Sequence, residues 1–393
     1  MGMEKPSALK FAIFSQVFLA FAACGDDAAD ADIHTPDALP ASVSARFEQL
    51  EGPLGCAPTT SFTPDPPDGC AGAQAFVAAA KREYLAVASD HTDLPARLAA
   101  YQKQFAAAHP FVSHSISRDG FIIAAREFGA EHANDGPSIV LMHGFPDNQH
   151  LYDYVAPALG AAHRTITFDF VGWGDSSQPP PDYAYTIDSL RADLDAVVGY
   201  FGSSAIVPVV HDASGWPGID WALDNESKVR ALVLLNTTYQ LIAGIAPPYV
   251  IRALSASDLR QQFIDALGDD PNFNRALFRA QVGMFFDDDA ARADMLPVLE
   301  AQLPGAALVG LTSEVRDGSI ARLENVPRMA TFAKPVAIAF GADDRMLNRD
   351  VANGLAMSFP HASLEMVDGA AHYVQLDQPE RVVAVVNAAA SGE

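Results

Sequence analysis

The sequence has few basic residues, few cysteines and no long apolar runs, and each of these shortages argues against a class of protein. Lys and Arg number 25 against 49 Asp and Glu, a formal net charge of −24 that repels phosphate backbones and argues against nucleic-acid binding. No apolar run reaches the ~20 residues of a bilayer-spanning helix. The three cysteines stand at 24, 56 and 70. What remains, 393 residues of which 49% are hydrophobic, suffices for one large α/β domain or two ordinary ones.

The N-terminus has the pattern of a targeting segment. Lys5 and Lys10 precede an apolar stretch at residues 11–23, which is short for a membrane span but typical of a signal-peptide core. The stretch ends in Phe-Ala-Ala-Cys at Cys24, which resembles a bacterial lipobox with Phe in place of the usual Leu. We therefore expect residues 1–24 to be a signal peptide and Cys24 to be lipidated. The mature protein would be a periplasmic or outer-surface lipoprotein that meets the membrane only through its lipid, or a secreted protein. A buried N-terminal helix with a free Cys24 is the alternative.

Residues 25–110 are expected to precede the main folded body. Aspartates interleaved with alanine form an acidic spacer, and residues 71–109 have the Ala-rich, helically spaced pattern of an extension packed on that body. Cys56 and Cys70 flank a Pro-rich loop, and in an oxidising compartment such a pair is most simply a disulfide. Two free buried thiols are the alternative. No metal site is expected there, because few other ligands are nearby.

The rest of the chain alternates short apolar strands with helical stretches, which predicts β-α-β units and a mostly parallel sheet. Asp119-Gly120 marks a hairpin at the start. One interval breaks the rhythm, because residues 237–334 contain several helix-like stretches between two strands. We interpret them as a helical cap inserted between the first part of the core, residues 111–236, and the second part, residues 335–393.

Polar residues follow four of the predicted strands directly. Ligands of open α/β sheets bind beyond the carboxyl ends of the strands, so these residues are the candidates for chemistry. The four segments are His-Gly-Phe-Pro at 143–146, His-Asp-Ala-Ser-Gly at 211–215, Gly-Ala-Asp-Asp at 341–344 and Gly-Ala-Ala-His-Tyr at 369–373.

From residue 111 onward the sequence resembles the α/β-hydrolase family, within it the aspartate-nucleophile branch of epoxide hydrolases and haloalkane dehalogenases. The segments that carry the resemblance are HGFP (143–146), DFVGWGDS (169–176), VVHDASGWPGIDWA (209–222) and GAAHYVQLDQPERV (369–382). The resemblance implies the α/β-hydrolase fold, a mostly parallel eight-stranded sheet with an inserted helical cap. It implies no cofactor and no metal.

The resemblance also implies a catalytic triad. The apex of the family's sharp turn between strand and helix falls on Asp212, the nucleophile, with Asp344 as the acid and His372 as the base, in the family's chain order. Asn236 follows a strand where some haloalkane dehalogenases carry their acid, but an amide cannot ionise. Two alternatives stay open at the turn: Asp212 as a helix N-cap, and a serine-type esterase using Ser214, which would shift the turn by two residues.

A carboxylate nucleophile limits the kinds of reaction that the protein can catalyse. Attack on an acyl carbon would give an anhydride and gain little, whereas attack on an sp³ carbon with a leaving group gives an alkyl ester that water can hydrolyse. By the resemblance, the backbone N–H groups of Phe145 and Ala213 form the oxyanion hole. The expected substrate is a small organic molecule, apolar to moderately polar, with an electrophilic sp³ carbon.

The leaving group separates the two subfamilies. Haloalkane dehalogenases hold the halide with a Trp beside the nucleophile, where this sequence has Ala213, and the cap segment contains no Trp. Epoxide hydrolases protonate the opening oxygen with cap tyrosines, for which Tyr249 and, at the edge of the cap, Tyr239 are the candidates. We therefore favour an epoxide hydrolase, with a haloalkane dehalogenase or a non-catalytic surface binding module as alternatives. The tryptophans are interpreted as packing residues: Trp173, Trp216 and Trp221.

Overall fold

The computed structural model describes residues 39–51, 71–180, 182–240, 245, 247–255, 260–268, 270–303 and 305–392. The predicted signal peptide at residues 1–24, the lipidation site Cys24 and the predicted disulfide between Cys56 and Cys70 lie outside these residues and stay predictions.

Eight strands form one sheet in the order β1-β2-β4-β3-β5-β6-β7-β8. The strands are β1 Val112–Arg118, β2 Phe121–Phe128, β3 Ser138–Met142, β4 Thr165–Phe168, β5 Ile206–Asp212, β6 Leu232–Thr237, β7 Val336–Gly341 and β8 Ala362–Val367. β2 pairs antiparallel with both β1 and β4, and all later pairings are parallel. The hairpin turn takes Asp119 and Gly120 to φ 50° and 89°, as a two-residue turn requires. The predicted fold class is confirmed.

The described α-helices cover both faces of this sheet and its carboxyl edge. They are α1 Ala41–Gln49, α2 Ala71–Ala88, α3 Leu94–Ala108, α4 Ala156–Gly160, α5 Ile187–Phe201, α6 Gly215–Asp224, α7 Tyr249–Ser255, α8 Arg260–Leu267, α9 Pro271–Val282, α10 Asp289–Glu300, α11 Gly305–Ala321, α12 Val326–Met329, α13 Arg349–Ser358, α14 Val374–Asp377 and α15 Pro379–Ser391. None of them alone has the length and apolar composition of a membrane span.

The core lies on both faces of the sheet because successive strand residues point in opposite directions. On β3, Val140 and Met142 belong to one apolar cluster, whereas Ile139 and Leu141 belong to the other. All four are buried, as expected of a parallel strand covered by helices on both sides.

Helices α7 to α12 lie between β6 and β7, where the sequence predicts a cap. The N-terminal extension packs on them: Phe47 of α1 stacks on Phe273 of α9, with ring centroids 4.7 Å apart, and Phe76 of α2 lies against Tyr249 of α7. Two helices at residues 71–88 and 94–108 replace the continuous stretch expected at 71–109, because Asp93 accepts a hydrogen bond from the Ala96 N–H and begins a second helix.

Candidate active site

The turn after β5 holds Asp212 at its apex in a backbone conformation that L-residues rarely adopt, with φ 48°. Neighbouring glycines make room for it. A Cβ on Gly144 would lie 2.6 Å from the Asp212 Cβ, and one on Gly215 would overlap Thr237 Oγ1. A strained residue at the carboxyl edge of a parallel sheet is a common feature of functional sites.

The two oxygens of the Asp212 carboxylate have different partners. The Phe145 N–H donates to Oδ2 over 3.0 Å, and the Ala213 N–H also donates to this carboxylate. Oδ1 lies 3.7 Å from Nε2 of His372. The carboxylate therefore has one oxygen held by a backbone donor and the other near the imidazole.

His372 is oriented by Asp344. Its Nδ1 lies 2.8 Å from Asp344 Oδ2, so Asp344 accepts a hydrogen bond from the Nδ1–H group. This bond orients the ring with Nε2 facing Asp212. Asp344 is held in turn by the backbone N–H groups of Met346 and Leu347, which both donate to its Oδ1. The structure thus brings Asp212, Asp344 and His372 together in the arrangement that the sequence predicts.

The charges of the three groups depend on one another. Burial raises the pKa of Asp212, although His372 and the backbone N–H groups of Ala213 and Phe145 oppose it. Burial would also raise the pKa of Asp344, but the attraction and hydrogen bond of His372 and the Asn236 amide outweigh it, so this pKa is lowered. For His372, burial lowers the pKa, but the charge and hydrogen bond of Asp344 together with the charges of Asp212 and Asp147 outweigh it, so this pKa is raised. Asp344 therefore stays ionised to a lower pH than Asp212 does.

Asn236 is a positioning residue whose role the sequence did not reveal. It is fully buried at φ 27°, its amide donates to Asp344 Oδ2 over 2.8 Å, and its carbonyl accepts from the Gly341 N–H. It thus ties the end of β6 to the acid at the end of β7. The side chain that follows β6 supports the acid instead of replacing it.

Replacing Asn236 with Asp tests that support. At mildly acidic pH the introduced carboxyl is protonated and donates to Asp344 as the amide does. As pH rises it ionises beside Asp344, and the like charges disturb the pair that orients His372. We expect kcat to drop about tenfold at alkaline pH, the effect of losing about 1.4 kcal/mol of transition-state stabilisation when His372 is poorly oriented. Asn236→Ala removes both hydrogen bonds without adding charge, so it should lower kcat without this pH dependence. A pH profile equal to that of the parent protein would contradict the role.

A cavity that is partly open to solvent lies above Asp212, with about 560 Å³ between the protein atoms when the space at its mouth is included. Its floor includes Phe145 and Ala213, and its walls are mostly apolar side chains of residues 245 and 247, of α7, of α11 and of the loop after β7. These wall residues are Ile245, Pro247, Ile251, Leu311, Met346 and Leu347. The cavity suits a small apolar molecule.

Trp216 lines this cavity and has an unused hydrogen-bond donor, although the sequence interpretation made it a packing residue. Its indole Nε1 is buried and has no partner among the described residues. On the same helix the indole of Trp221 donates to Asp195 over 2.7 Å. A buried N–H without a partner is costly unless a ligand accepts from it.

Neither candidate tyrosine reaches Asp212. Tyr249 turns its hydroxyl away from the cavity and donates to the Leu50 carbonyl of the N-terminal extension over 3.2 Å. The Tyr239 hydroxyl donates to Asp220. Their assignment as cap acids is therefore corrected, because each hydroxyl already has an acceptor elsewhere in the fold.

The Ser214 alternative also fails on geometry. Its Oγ is buried below the turn, where it accepts from the His211 N–H and donates to the carbonyls of Met142 and His211. Those bonds brace the turn that presents Asp212. The residue is a structural brace rather than a nucleophile.

Two further buried groups surround the site. One oxygen of Asp147 accepts from the Tyr373 hydroxyl, and burial raises the pKa of Asp147 to about 7. His143 accepts from the Phe170 N–H, and burial lowers its pKa to about 4, which makes it a neutral part of the oxyanion turn. Within the described ranges, no group of three His, Cys, Asp or Glu is arranged to hold a metal ion.

The sequence and the fold are similar to those of known proteins. A family model for the alpha/beta hydrolase fold matches residues 137–379, so the chain belongs to the α/β-hydrolase family and is a hydrolase of that superfamily. It is 27% identical over 278 residues to a cis-3-alkyl-4-alkyloxetan-2-one decarboxylase of Xanthomonas campestris, an alignment that covers 66% of this chain and 89% of the relative.

Two other similarities concern different activities. Bifunctional epoxide hydrolase 2 of Rattus norvegicus is 28% identical over 193 residues, which is 49% of this chain and 34% of that protein. The crystal structure of the haloalkane dehalogenase DatA from Agrobacterium tumefaciens C58 superposes with a TM-score of 0.60 at 20% identity, covering 72% of this chain and 97% of that one. At that identity the structural likeness shows the fold alone.

Proposed function

We propose that this protein is a hydrolase that attacks an sp³ carbon with the Asp212 carboxylate and forms an alkyl-ester intermediate. The observation that carries the proposal is the contact of Asp212 Oδ2 with the Phe145 N–H. In a serine esterase the oxyanion hole receives an oxygen of the substrate. Here it holds an oxygen of the nucleophile, which is where negative charge develops when an aspartyl ester is hydrolysed.

In the first half-reaction, Oδ1 attacks the sp³ carbon and the leaving group departs with its bonding electrons. The bond formed joins Oδ1 to carbon, and Oδ2 becomes the ester carbonyl oxygen in the oxyanion hole. Asp212 must be ionised for this attack, and its raised pKa makes the step faster as pH rises.

In the second half-reaction, a water molecule attacks the Asp212 Cγ while His372 Nε2 takes a proton from it. The negative charge moves onto Oδ2, where the Phe145 and Ala213 N–H groups stabilise it. Collapse breaks the bond between Cγ and Oδ1, the alkoxide takes the proton from His372, and the product alcohol leaves with Oδ1. The Asp212 carboxyl, which now holds the oxygen and the second proton of the water, loses that proton to solvent and is again an anion. Asp344 stabilises the imidazolium meanwhile. A purely binding role would be favoured by an incomplete triad, whereas these three groups are all present and aligned.

The donors at the cavity favour a leaving group that is stable as an anion. An opening epoxide needs a proton, and the described lining of the cavity contains no Tyr or Lys to supply one. The indole N–H of Trp216 can hold an anion but is too weak an acid to protonate an alkoxide. We therefore propose a halide or a carboxylate as leaving group in place of the epoxide oxygen. An oxetan-2-one, the ring in the name of the Xanthomonas relative, would open at its sp³ carbon to a carboxylate.

A single turnover in ¹⁸O-labelled water tests the ester intermediate. Because water attacks Cγ, we expect labelled oxygen in the Asp212 carboxylate, which mass spectrometry of the peptide around residue 212 detects. The product of that first turnover should carry the unlabelled carboxylate oxygen. Labelled product with unlabelled Asp212 would mean direct attack of water on the substrate and would overturn the proposal.

Trp216→Phe tests the leaving-group donor. Losing one hydrogen bond to a developing anion should lower the rate of ester formation with a bromoalkane by about 10- to 100-fold, measured as bromide release in the first turnover. Trp221→Phe is the matched control on the same helix, since its indole bonds to Asp195, and it should leave this rate unchanged. If an epoxide is opened at enzymatic rates while bromoalkanes and β-lactones are untouched, the assignment of an anionic leaving group is wrong.

A further inference from the structure

A second cavity, also partly open to solvent, lies among helices α7, α8, α9 and the start of α11, with about 620 Å³ between the protein atoms when the space at its mouth is included. Two of the residues that line it are direct sequence neighbours of residues that line the first cavity. Pro146 lines the second cavity while Phe145 lines the first, and Val250 lines the second while Ile251 lines the first. Consecutive residues of the oxyanion turn and of helix α7 therefore line the two cavities.

Two polar side chains interrupt the apolar lining of this second cavity. Both are amides on α9, Asn274 and Gln281, and the other lining residues are apolar side chains, proline or glycine. Oδ1 of Asn274 and Oε1 of Gln281 are buried and accept no hydrogen bond from any described residue. Gln281 is only 3% exposed. Native proteins rarely leave such acceptors unpaired, because burying one without a partner costs stability.

The spacing of the two amides indicates what could satisfy them. Seven residues separate them, so they lie on one face of α9 about 10 Å apart along the helix axis. Leu277 and Phe278 also line the cavity between them. One water molecule cannot reach both oxygens, and a buried water normally needs several polar partners. A charged ligand would meet no counter-charge in this lining.

We propose that this second cavity binds the far end of the substrate, an alkyl arm that carries a hydroxyl group and donates it to Gln281 Oε1. The proposal rests on the proposed function, since it places the electrophilic carbon over Asp212 and runs the arm between the oxyanion turn and helix α7 into the second cavity. The hydroxyl gives the buried amide oxygen a hydrogen-bond donor, and the alkyl chain packs on the apolar lining. The substrate class is then a hydroxylated alkyl compound with an anionic leaving group.

Binding of octanol to the full chain tests the site without any reaction. Octyl methyl ether is the control ligand, because it keeps the chain and the oxygen but lacks the O–H. By calorimetry we expect octanol to bind about 3- to 10-fold more tightly than the ether, the usual range for one neutral hydrogen bond. Equal affinities, or no octanol binding, would overturn the proposal.

Two matched variants locate the contact. Gln281→Leu should abolish the preference for octanol while leaving the ether bound as well or better. Gln261→Leu makes the same change on the exposed face of α8, where the amide contacts Asp265, and should keep the preference. If Gln281→Leu keeps the preference, octanol binds elsewhere and the proposal fails.

Turnover then links the cavity to the reaction. An ω-bromo-octanol should show a lower KM than bromooctane in the parent protein, and Gln281→Leu should raise that KM severalfold with kcat unchanged. If the parent protein shows no difference in KM, the cavity does not hold the substrate arm. Failure of the proposed function would look different, because neither bromide would then be released while the octanol preference persisted.

Discussion

Replacing His372 with Gln is expected to stop the enzyme after ester formation. The first half-reaction uses only the Asp212 carboxylate and the leaving-group donor, whereas hydrolysis needs a base 3.7 Å from that carboxylate. Glutamine cannot take the proton of the attacking water. We expect turnover to fall by roughly 10²- to 10⁴-fold, the range for removal of a positioned general base. One equivalent of leaving group should still be released in a burst.

Intact-mass measurement of the variant should show the protein heavier by the alkyl group, with the added mass on Asp212 after proteolysis. His132→Gln is the control, since His132 pairs with Asp135 at the surface, and it should turn over normally without accumulating an adduct. Parent-level turnover in His372→Gln would remove this histidine from the mechanism. Slow turnover without an adduct would mean that His372 acts before the ester forms.

Replacing Asp212 with Asn should abolish activity by at least about 10⁴-fold, because the nucleophile is lost and the amide is a far weaker one. The fold should survive. Asn tolerates the positive φ of this turn as well as Asp does, and its amide has nearly the same shape.

The same variant should be as stable as the parent protein or more so. Burial raises the pKa of Asp212 in the folded state, so the folded protein binds this proton more tightly than the unfolded chain, and the carboxylate destabilises the fold increasingly as pH rises. The penalty grows between the unfolded and the folded pKa of this carboxyl, so the gain in melting temperature from Asp212→Asn should be larger at neutral pH than at a pH below the ordinary carboxyl pKa. Residual activity near the parent level, or a melting temperature lowered at all pH values, would contradict the assignment of Asp212.

Some parts of the site could be predicted from sequence because they depend on local order along the chain. The run of buried strand, polar residue and small residues predicts where a parallel strand ends and a helix begins. The position of Asp212 after β5, of Asp344 after β7 and of His372 after β8 follows from that rule together with the resemblance to the family. The hairpin at Asp119 was equally local.

The leaving-group residues could not be predicted in this way. The cap residue Tyr249 is a suitable acid by its type and segment, yet its hydroxyl bonds to Leu50, which lies in an extension far away in sequence. Trp216 is a residue type that commonly packs in cores. Only the tertiary structure shows that it lines the cavity and that its indole N–H has no partner among the described residues. Both errors have one cause, because the partner of a side chain is set by elements that approach from elsewhere.

By itself the sequence determined the family, the order of strands and helices, and the residues that meet at the carboxyl edge of the sheet. These depend on periodicity and on motifs a few residues long. Only the tertiary structure decided that Asn236 supports Asp344, that Ser214 braces the turn, and that the cap turns its tyrosines away from Asp212. The physical reason is that hydrogen bonds are short and directional, so a polar side chain acquires its role from the atoms that packing brings within about 3 Å of it.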